Sequence, residues 1–301
     1  MTVLPPEKKA RLILNTDAKN EADDQYTIVH ALLTPSLDLH GISPAHFGTL
    51  KSKTSLKDSH DEVAKLLQLM DLSGRVRMAD GAEGPLPDER TPVPSAGAHL
   101  IVEEAMKDDP RPLYVAFLGP VTDMASALLM EPRLNQRNVV VVWIGGGPWP
   151  TGGREYNLSN DIAAANVVMR SKVQVWQIPM PVYRMMAVGY AELYERVYDK
   201  GPIGKYLVDQ LVEWNLKVHP GPIEHRSLGD TPALSVILNP NGGVSEWVPA
   251  PEFSPQMHYI HTGAHRPIKL YHSIDVRWIL EDFFAKLARF HRGEQEFATF
   301  G

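Results

Sequence analysis

Short runs of aliphatic and β-branched residues recur along the chain, each followed by a stretch with helical spacing, and this alternation restricts the fold to βαβ units around a mainly parallel sheet. The strand candidates are RLILN from Arg11, LDLHGIS from Leu37, PLYVAFLG from Pro112, NVVVVWIGGG from Asn138 and KVQVWQIP from Lys172, with VRMADG from Val76 a weaker one. NVVVVWIGGG carries no polar alternation and reads as a strand buried on both faces. Between them, Ala22 to about Leu33, SHDEVAKLLQLM, AHLIVEEAMKD, VTDMASALLM, NDIAAANVVMRS and IGKYLVDQLVEWNL read as helices. In the second of these, Val63, Leu66, Leu67 and Met70 recur at i, i+3, i+4 and i+7 and define one apolar face. A last helix from Val276 to Phe290 carries a stripe of Ile279, Leu280, Phe283 and Leu287, for which core packing is explanation enough. The expectation is one α/β domain over residues 1–301, with an open, mainly parallel sheet flanked by helices. Proline-dense stretches such as EGPLPDERTPVPS and VHPGPIEH are loops within it.

The chain has 301 residues, of which 44% are hydrophobic, enough for a substantial core. A net charge of -6 with no Lys/Arg cluster argues against nucleic acid as a partner and for a small molecule. There is no cysteine, so disulfides and thiolate metal sites are excluded and oxygen ligands remain, with histidine as the nitrogen option. The N-terminal MTVLPPEKKARLILNTD lacks a long apolar segment, which gives the expectation of a cytosolic protein without a signal peptide or membrane span.

The chemistry is concentrated in LILNTDAKNEADDQYTIVHALL, from Leu12, where a strand hands over to a helix through a dense set of carboxylates and amides. Ligands of open parallel sheets gather beyond the carboxyl ends of the strands, and this turn lies at such an end. Two readings of the residues stand side by side. Asn20, Asp23 or Asp24 can cap the helix, or the acids can share a cation that offsets their repulsion. Asp17 precedes the turn, where capping does not account for it, and Lys19 is the basic residue near enough to neutralise the group. Carboxylates and carbonyls suit Ca²⁺ or Mg²⁺, and flexible loop carbonyls favour Ca²⁺.

NTDAKNEADD resembles the N-terminal Asp-x-Asp-loop-Asp-Asp signature of the inosine-uridine type nucleoside hydrolases. FLGPVTDMASALLMEP is similar to that family's Gly-Pro-Leu-Thr-Asn segment and following helix, VVWIGGG to its central strand and glycines, REYNLSNDIAAAN to its Glu-Phe-Asn segment, and LGDTPA to its late Asp-Pro-x-Ala site. These segments occur in family order from Leu12 to about Leu238. The resemblance implies a Ca²⁺-dependent hydrolase of a ribosyl N-glycosidic bond. It makes Asp17, Asp24, Asp230 and the backbone carbonyl of Leu118 the metal ligands, Asp17 the general base, and Asp23, Glu155 and Asn157 the partners of sugar hydroxyls. It also implies a homodimer or homotetramer. The chemistry is coherent, since carboxylates around the sugar stabilise an oxocarbenium-like centre and a metal activates the attacking water.

The chain departs from the pattern at four places, one of them a shorter segment after the glycines, which leaves the family's asparagine for the sugar 5′-hydroxyl without a counterpart. Asn15 stands where the family has its first aspartate, the turn from Asp17 to Asp23 is two residues longer than the usual Asp-Pro-Gly-x-Asp-Asp, and Gly229 replaces a histidine that assists the leaving base. His225 is an upstream candidate for that role but reads better as a loop histidine. Trp149, in GGGPWPTGG, can stack on a nucleobase or simply cover the sheet end, and His46, in SPAHFG, is a candidate sugar contact or a loop side chain. The glycine run lacks the endings of a phosphate loop, and His258, His261 and His265 have no helical spacing that would favour a transition metal. Alternatives to the hydrolase are a non-catalytic nucleoside or sugar binder that keeps the metal cradle and, more weakly, a phosphatase, for which Asn15 occupies the nucleophile position.

Overall fold

The computed structural model describes residues 4–301; the first three residues of the expected single unit, and of the N-terminal stretch searched for a leader, lie outside the described residues. In chain order the elements are β1 (Ala10–Thr16), α1 (Asp24–Leu32), β2 (Leu37–Pro44), α2 (Ser55–Leu69), α3 (Ala96–Met106), β3 (Leu113–Phe117), α4 (Thr122–Met130) and β4 (Val139–Ile144). There follow α5 (Tyr156–Asn160), α6 (Ile162–Arg170), β5 (Gln174–Ile178), α7 (Met180–Tyr183), β6 (Ala187–Gly189), α8 (Tyr190–Leu193), α9 (Gly201–Val218), β7 (His225–Ser227) and α10 (Pro232–Leu238). The chain closes with β8 (Ser245–Pro249), β9 (Glu252–Phe253), β10 (Tyr259–Ile260), β11 (Pro267–Tyr271), α11 (Val276–His291) and β12 (Thr299–Phe300).

This is a single α/β domain whose main sheet has the order β12-β2-β1-β3-β4-β5-β11-β8, parallel throughout except for β8. Alternation along each strand divides the core between the two faces of the sheet. Leu12, Leu14, Val140, Val142 and Ile144 face α1, α2, α9 and α11, whereas Ile13, Val141 and Trp143 face α3, α4 and α6. All six residues of β4 are buried, as its unbroken apolar sequence requires.

VRMADG forms no strand, only an isolated bridge between Met78 and Ile42, and its Asp80 and Gly81 already belong to a loop. Conversely, β11 and β8 extend the sheet from a region outside the strand candidates read from the sequence. Pro267 and Pro249 pair with each other at the very ends of the two strands, where a missing N–H disturbs little of the ladder. Among the described residues no helix is long and apolar enough to cross a membrane.

The topology decides where a ligand can sit. From β1 the chain moves to β2 on one side, then crosses back to β3 on the other, so the connections diverge beside β1 and open a crevice at the carboxyl ends. Asp17 follows β1, Leu118 and Gly119 follow β3, the glycine run follows β4, and Met180 to Tyr183 follow β5.

Candidate active site

Asp23 occupies the N-cap position of α1, yet its side chain makes no capping bond. Its Oδ2 instead accepts the backbone N–H of Gly229 at 2.9 Å, joining the early acids to the late segment of the chain. The helix-cap reading therefore fails, and Asp23, Asp24 and Asp230 each offer a carboxylate oxygen within 4.8 Å of one another, all three buried. Thr16 donates its hydroxyl to Asp24 Oδ1 at 2.5 Å.

The lengthened turn is stitched down rather than loose. Asn20 N–H closes onto the Asp17 carbonyl at 2.8 Å, Gln25 Nε2 donates to the Ala18 carbonyl at 2.6 Å, and Gln210 Nε2 donates to that of Ala22 at 2.9 Å. Ala18 and Ala22 are both buried in the core, so the extra residues fold inward and still deliver Asp23 and Asp24 to the start of α1.

Asp17 lies beside this triad but outside its tightest grouping. A Cβ built at Gly119 would stand 2.7 Å from Asp17 Cγ, so only glycine at the β3 exit lets the carboxylate lie there. Asp17 is 1% exposed and its Oδ2 is buried with no hydrogen-bond partner. Such an oxygen is costly unless something outside the protein meets it. Burial and then the charges of Asp24 and Asp23 push the Asp17 carboxyl well above its ordinary range. Asp230 is raised by burial and then by Asp23 and Asp24, Asp23 to about 7 by burial and then Glu21, and Asp24 to about 6 by burial. Converging carboxylates with raised affinity for protons, one with an unmet buried oxygen, are a donor set that fits a hard divalent cation.

The remaining residues singled out in the sequence fall into two groups. Glu155 and Asn157 stand next to the acids but are heavily engaged. Glu155 caps α5 by accepting from Asn157 N–H and Leu158 N–H, and it also accepts from Gly146 N–H and the Tyr183 hydroxyl. Asn157 spends both amide hydrogens on the carbonyls of Leu118 (2.7 Å) and Ile144 (2.9 Å), fixing the β3 exit whose carbonyl the resemblance assigns to the metal. His46 and Trp149, in contrast, are not brought to the cleft. His46 is 1% exposed, with Nε2 bonded to Thr122 Oγ1 at 2.9 Å and Nδ1 accepting Gly48 N–H at 3.3 Å. Because Thr122 donates onward to Asp161, the imidazole is a neutral Nε2–H tautomer, and burial lowers its pKa to about 4. Trp149 packs on Tyr259 and His261, with Nε1 donating to Gln177 Oε1 at 3.1 Å, and so covers the sheet end. His258, His261 and His265 turn to separate partners, the carbonyls of Thr151 and Pro150 and the carboxylate of Glu252.

Asp23 carries the acidic group to the wall of a cleft of about 1230 Å³. Its walls include Asp23, Glu155 and Gly229, together with residues that sequence reasoning missed: Phe47, Lys51, Tyr156, Tyr183, Trp214 and Arg226. Lys51 lies 4.1 Å from the centre of the Tyr156 ring and bonds to Asn20, pinning the turn to the opposite wall. Phe47 and Lys51 come from a loop, Tyr156, Tyr183 and Trp214 from α5, α7 and α9, and Arg226 from β7, and no spacing in the sequence marks them as one set. His225 also lines the cleft.

Asn15, the departure at the first aspartate, has a structural counterpart. Its Nδ2 donates to Asp123 Oδ2 at 2.7 Å, and Asp123 stands where the resembled segment carries asparagine. Amide and carboxylate have exchanged places, and the pair persists with one charge. Asn15→Asp should set two buried carboxylates against each other and destabilise the fold by about 3 kcal/mol. Adding Asp123→Asn should restore most of the loss, with thermal unfolding of the wild type and the two variants as the measurement.

A cleft beside a cluster of buried acids, at the point where a parallel sheet reverses its strand order, defines an enzyme of the small-molecule, metal-dependent kind. A model of the family described as inosine-uridine preferring nucleoside hydrolase matches residues 12–273, and the chain belongs to that family. It is accordingly an N-glycosyl hydrolase. The pyrimidine-specific ribonucleoside hydrolase RihA of Salmonella arizonae is 26% identical over 227 residues, which cover 69% of this chain and 72% of that protein. RihA of Citrobacter koseri is 24% identical over 216 residues, covering 65% and 69% respectively. Among solved structures, a purine-preferring ribonucleoside hydrolase from Gardnerella vaginalis superposes with a TM-score of 0.77 at 18% identity, covering 94% of this chain and 99% of that one. A plant nucleoside hydrolase gives a TM-score of 0.75 at 16% identity, with the same coverage.

Proposed function

We propose that the protein hydrolyses the N-glycosidic bond of a ribonucleoside or related N-riboside, with Ca²⁺ held by Asp17, Asp24, Asp230 and the carbonyl of Leu118. The observation that carries this reading is the meeting of Asp23, Asp24 and Asp230 beside the unpartnered Oδ2 of Asp17, on residues far apart in sequence. The bound cation would neutralise the carboxylates and acidify a ligated water.

Asp17 then takes the proton of the attacking water, which is within its reach only if the carboxyl is ionised. The surrounding acids favour the positive charge that develops at the anomeric carbon as the bond to nitrogen breaks. By the resemblance Asp23, Glu155 and Asn157 hold the sugar hydroxyls, Asp23 directly and the Glu155–Asn157 pair, whose own hydrogen bonds are met within the protein, through the groups it fixes in place; that binding is what orients the reacting carbon. Gly229 has no side chain to protonate the departing base, so leaving-group activation differs from the family's, and His225, which lines the cleft, is the candidate that remains for it.

The names of the relatives point to pyrimidine specificity in some and purine preference in others, and leave the base open for this chain. The absence of cysteine accords with a reducing compartment, and the cytosol is the proposed location; homodimeric or homotetrameric assembly is carried by the resemblance alone. The test is a panel of purine and pyrimidine ribonucleosides, with and without Ca²⁺, read as free ribose. Calcium-dependent release is expected for at least one. Binding without release over long incubations would favour the non-catalytic binder.

A further inference from the structure

Glu155 cannot by itself read a sugar hydroxyl. An ionised carboxylate has about four acceptor positions, and the protein fills them. Oε1 takes Asn157 N–H at 3.1 Å and the Tyr183 hydroxyl at 2.9 Å, and Oε2 takes Gly146 N–H and Leu158 N–H, each at 2.9 Å. Three of these donors are backbone groups fixed by the cap of α5 and the glycine run. The fourth, the phenol, lines the cleft and is the one that a ligand can address.

Tyr183 is also held in place from the other side. Ser227 Oγ donates to its carbonyl at 3.0 Å, Leu228 N–H donates to the Met186 carbonyl at 2.9 Å, and β6 pairs with β7 just beyond. The ring lies against Gly229 so closely that a Cβ there would be 3.1 Å from Tyr183 Cδ2 and 3.2 Å from Asp23 Oδ2. The missing side chain at 229 is therefore what admits the ring between Asp23 and Glu155, two of the carboxylates on the cleft wall.

We infer that Tyr183 is the sugar-contacting residue on this wall: its phenol oxygen, with its hydrogen committed to Glu155, accepts the hydrogen bond of one ribose hydroxyl and transmits the hold of Glu155 to the substrate. This rests on the hydrolase reading and refines its sugar site. Burial, together with the Glu155 charge, raises the phenol pKa far beyond any working pH, so the group stays neutral and acts by hydrogen bonding. Tyr183 is a positioning residue in this role, and its loss should have a signature that mere packing would not produce.

The experiment compares wild type and Tyr183→Phe on uridine and inosine and on their 2′-, 3′- and 5′-deoxy forms, with Ca²⁺ present. On the ribonucleoside that turns over, the variant should lose roughly 10- to 100-fold in kcat/KM. On the deoxy form that lacks the contacted hydroxyl, the two proteins should agree to within about twofold, because the partner is already gone. An equal penalty on the parent and all three deoxy forms, or no penalty at all, overturns the inference. If wild type releases no ribose from any substrate, the hydrolase reading fails; the same comparison made on dissociation constants by calorimetry then decides the Tyr183 contact separately.

Discussion

Asp17→Asn is expected to lower kcat by about three orders of magnitude at saturating Ca²⁺, within the range for loss of a positioned general base, while the protein unfolds at the same or a higher temperature. The amide is nearly isosteric, so the tight approach to Gly119 is unchanged, with Asp17 Cγ 2.7 Å from the position a Cβ there would take. What the substitution removes is a buried acid whose pKa is raised by burial and by two neighbouring carboxylates. Its ionised form is a strain on the metal-free fold and the source of its basicity in the loaded one. Activity and stability should therefore separate. Steady-state ribose release and calorimetric unfolding of the same preparation measure both. Turnover preserved in the variant would remove Asp17 from the role of base, and turnover lost together with a large drop in unfolding temperature would make it structural.

Asp17 stands out in the sequence because its signal is local. Strand, acid and helix start lie within a dozen positions, and the acid stands where a cap is not needed. The parallel sheet was legible for a similar reason, because strands buried on both faces must be apolar throughout, as Val139 to Ile144 are. Edge strands carry no such requirement. Trp247 in β8 is 56% exposed, and the segment from Ser245 to Tyr271, which supplies two strands of the main sheet, has no unbroken apolar run to mark them.

The far half of the site was legible only through family likeness. Nothing in the spacing links Asp230 to Asp23, which meet through the Gly229 N–H across 206 positions. His46 and Trp149 show the opposite failure. Each has a chemically suggestive side chain on a loop near a strand end, and each is satisfied by protein partners: Thr122 and Gly48 for one, Gln177, Tyr259 and His261 for the other. The groups that line the cleft instead, Tyr183 and Trp214 among them, are common residue types placed there by tertiary packing.

The second large effect is a stability that changes its pH dependence with the cation. Without metal, Asp23 titrates at about 7 and Asp24 at about 6 in the folded protein, with Asp17 and Asp230 also raised. In the unfolded chain all four titrate near 4. Between about pH 4 and pH 7 the native state thus binds more protons than the unfolded one, and its stability must fall as pH rises through that window. Ca²⁺ competes for the same oxygens, so loading releases protons and reverses the sign: the stabilisation is greatest at high pH and disappears as the acids reprotonate. At a thousandfold excess over Kd the gain is about 4 kcal/mol, a rise in unfolding temperature on the order of 10 °C at pH 8. The gap between Ca²⁺-loaded and chelated protein should narrow steadily towards pH 5. Mg²⁺ should narrow it at every pH, because an irregular site that includes a backbone carbonyl suits the larger and less geometrically demanding ion. A gap that stays constant from pH 5 to 8, or that persists in Asp230→Asn, would mean that calcium binds elsewhere and that these four acids hold protons alone.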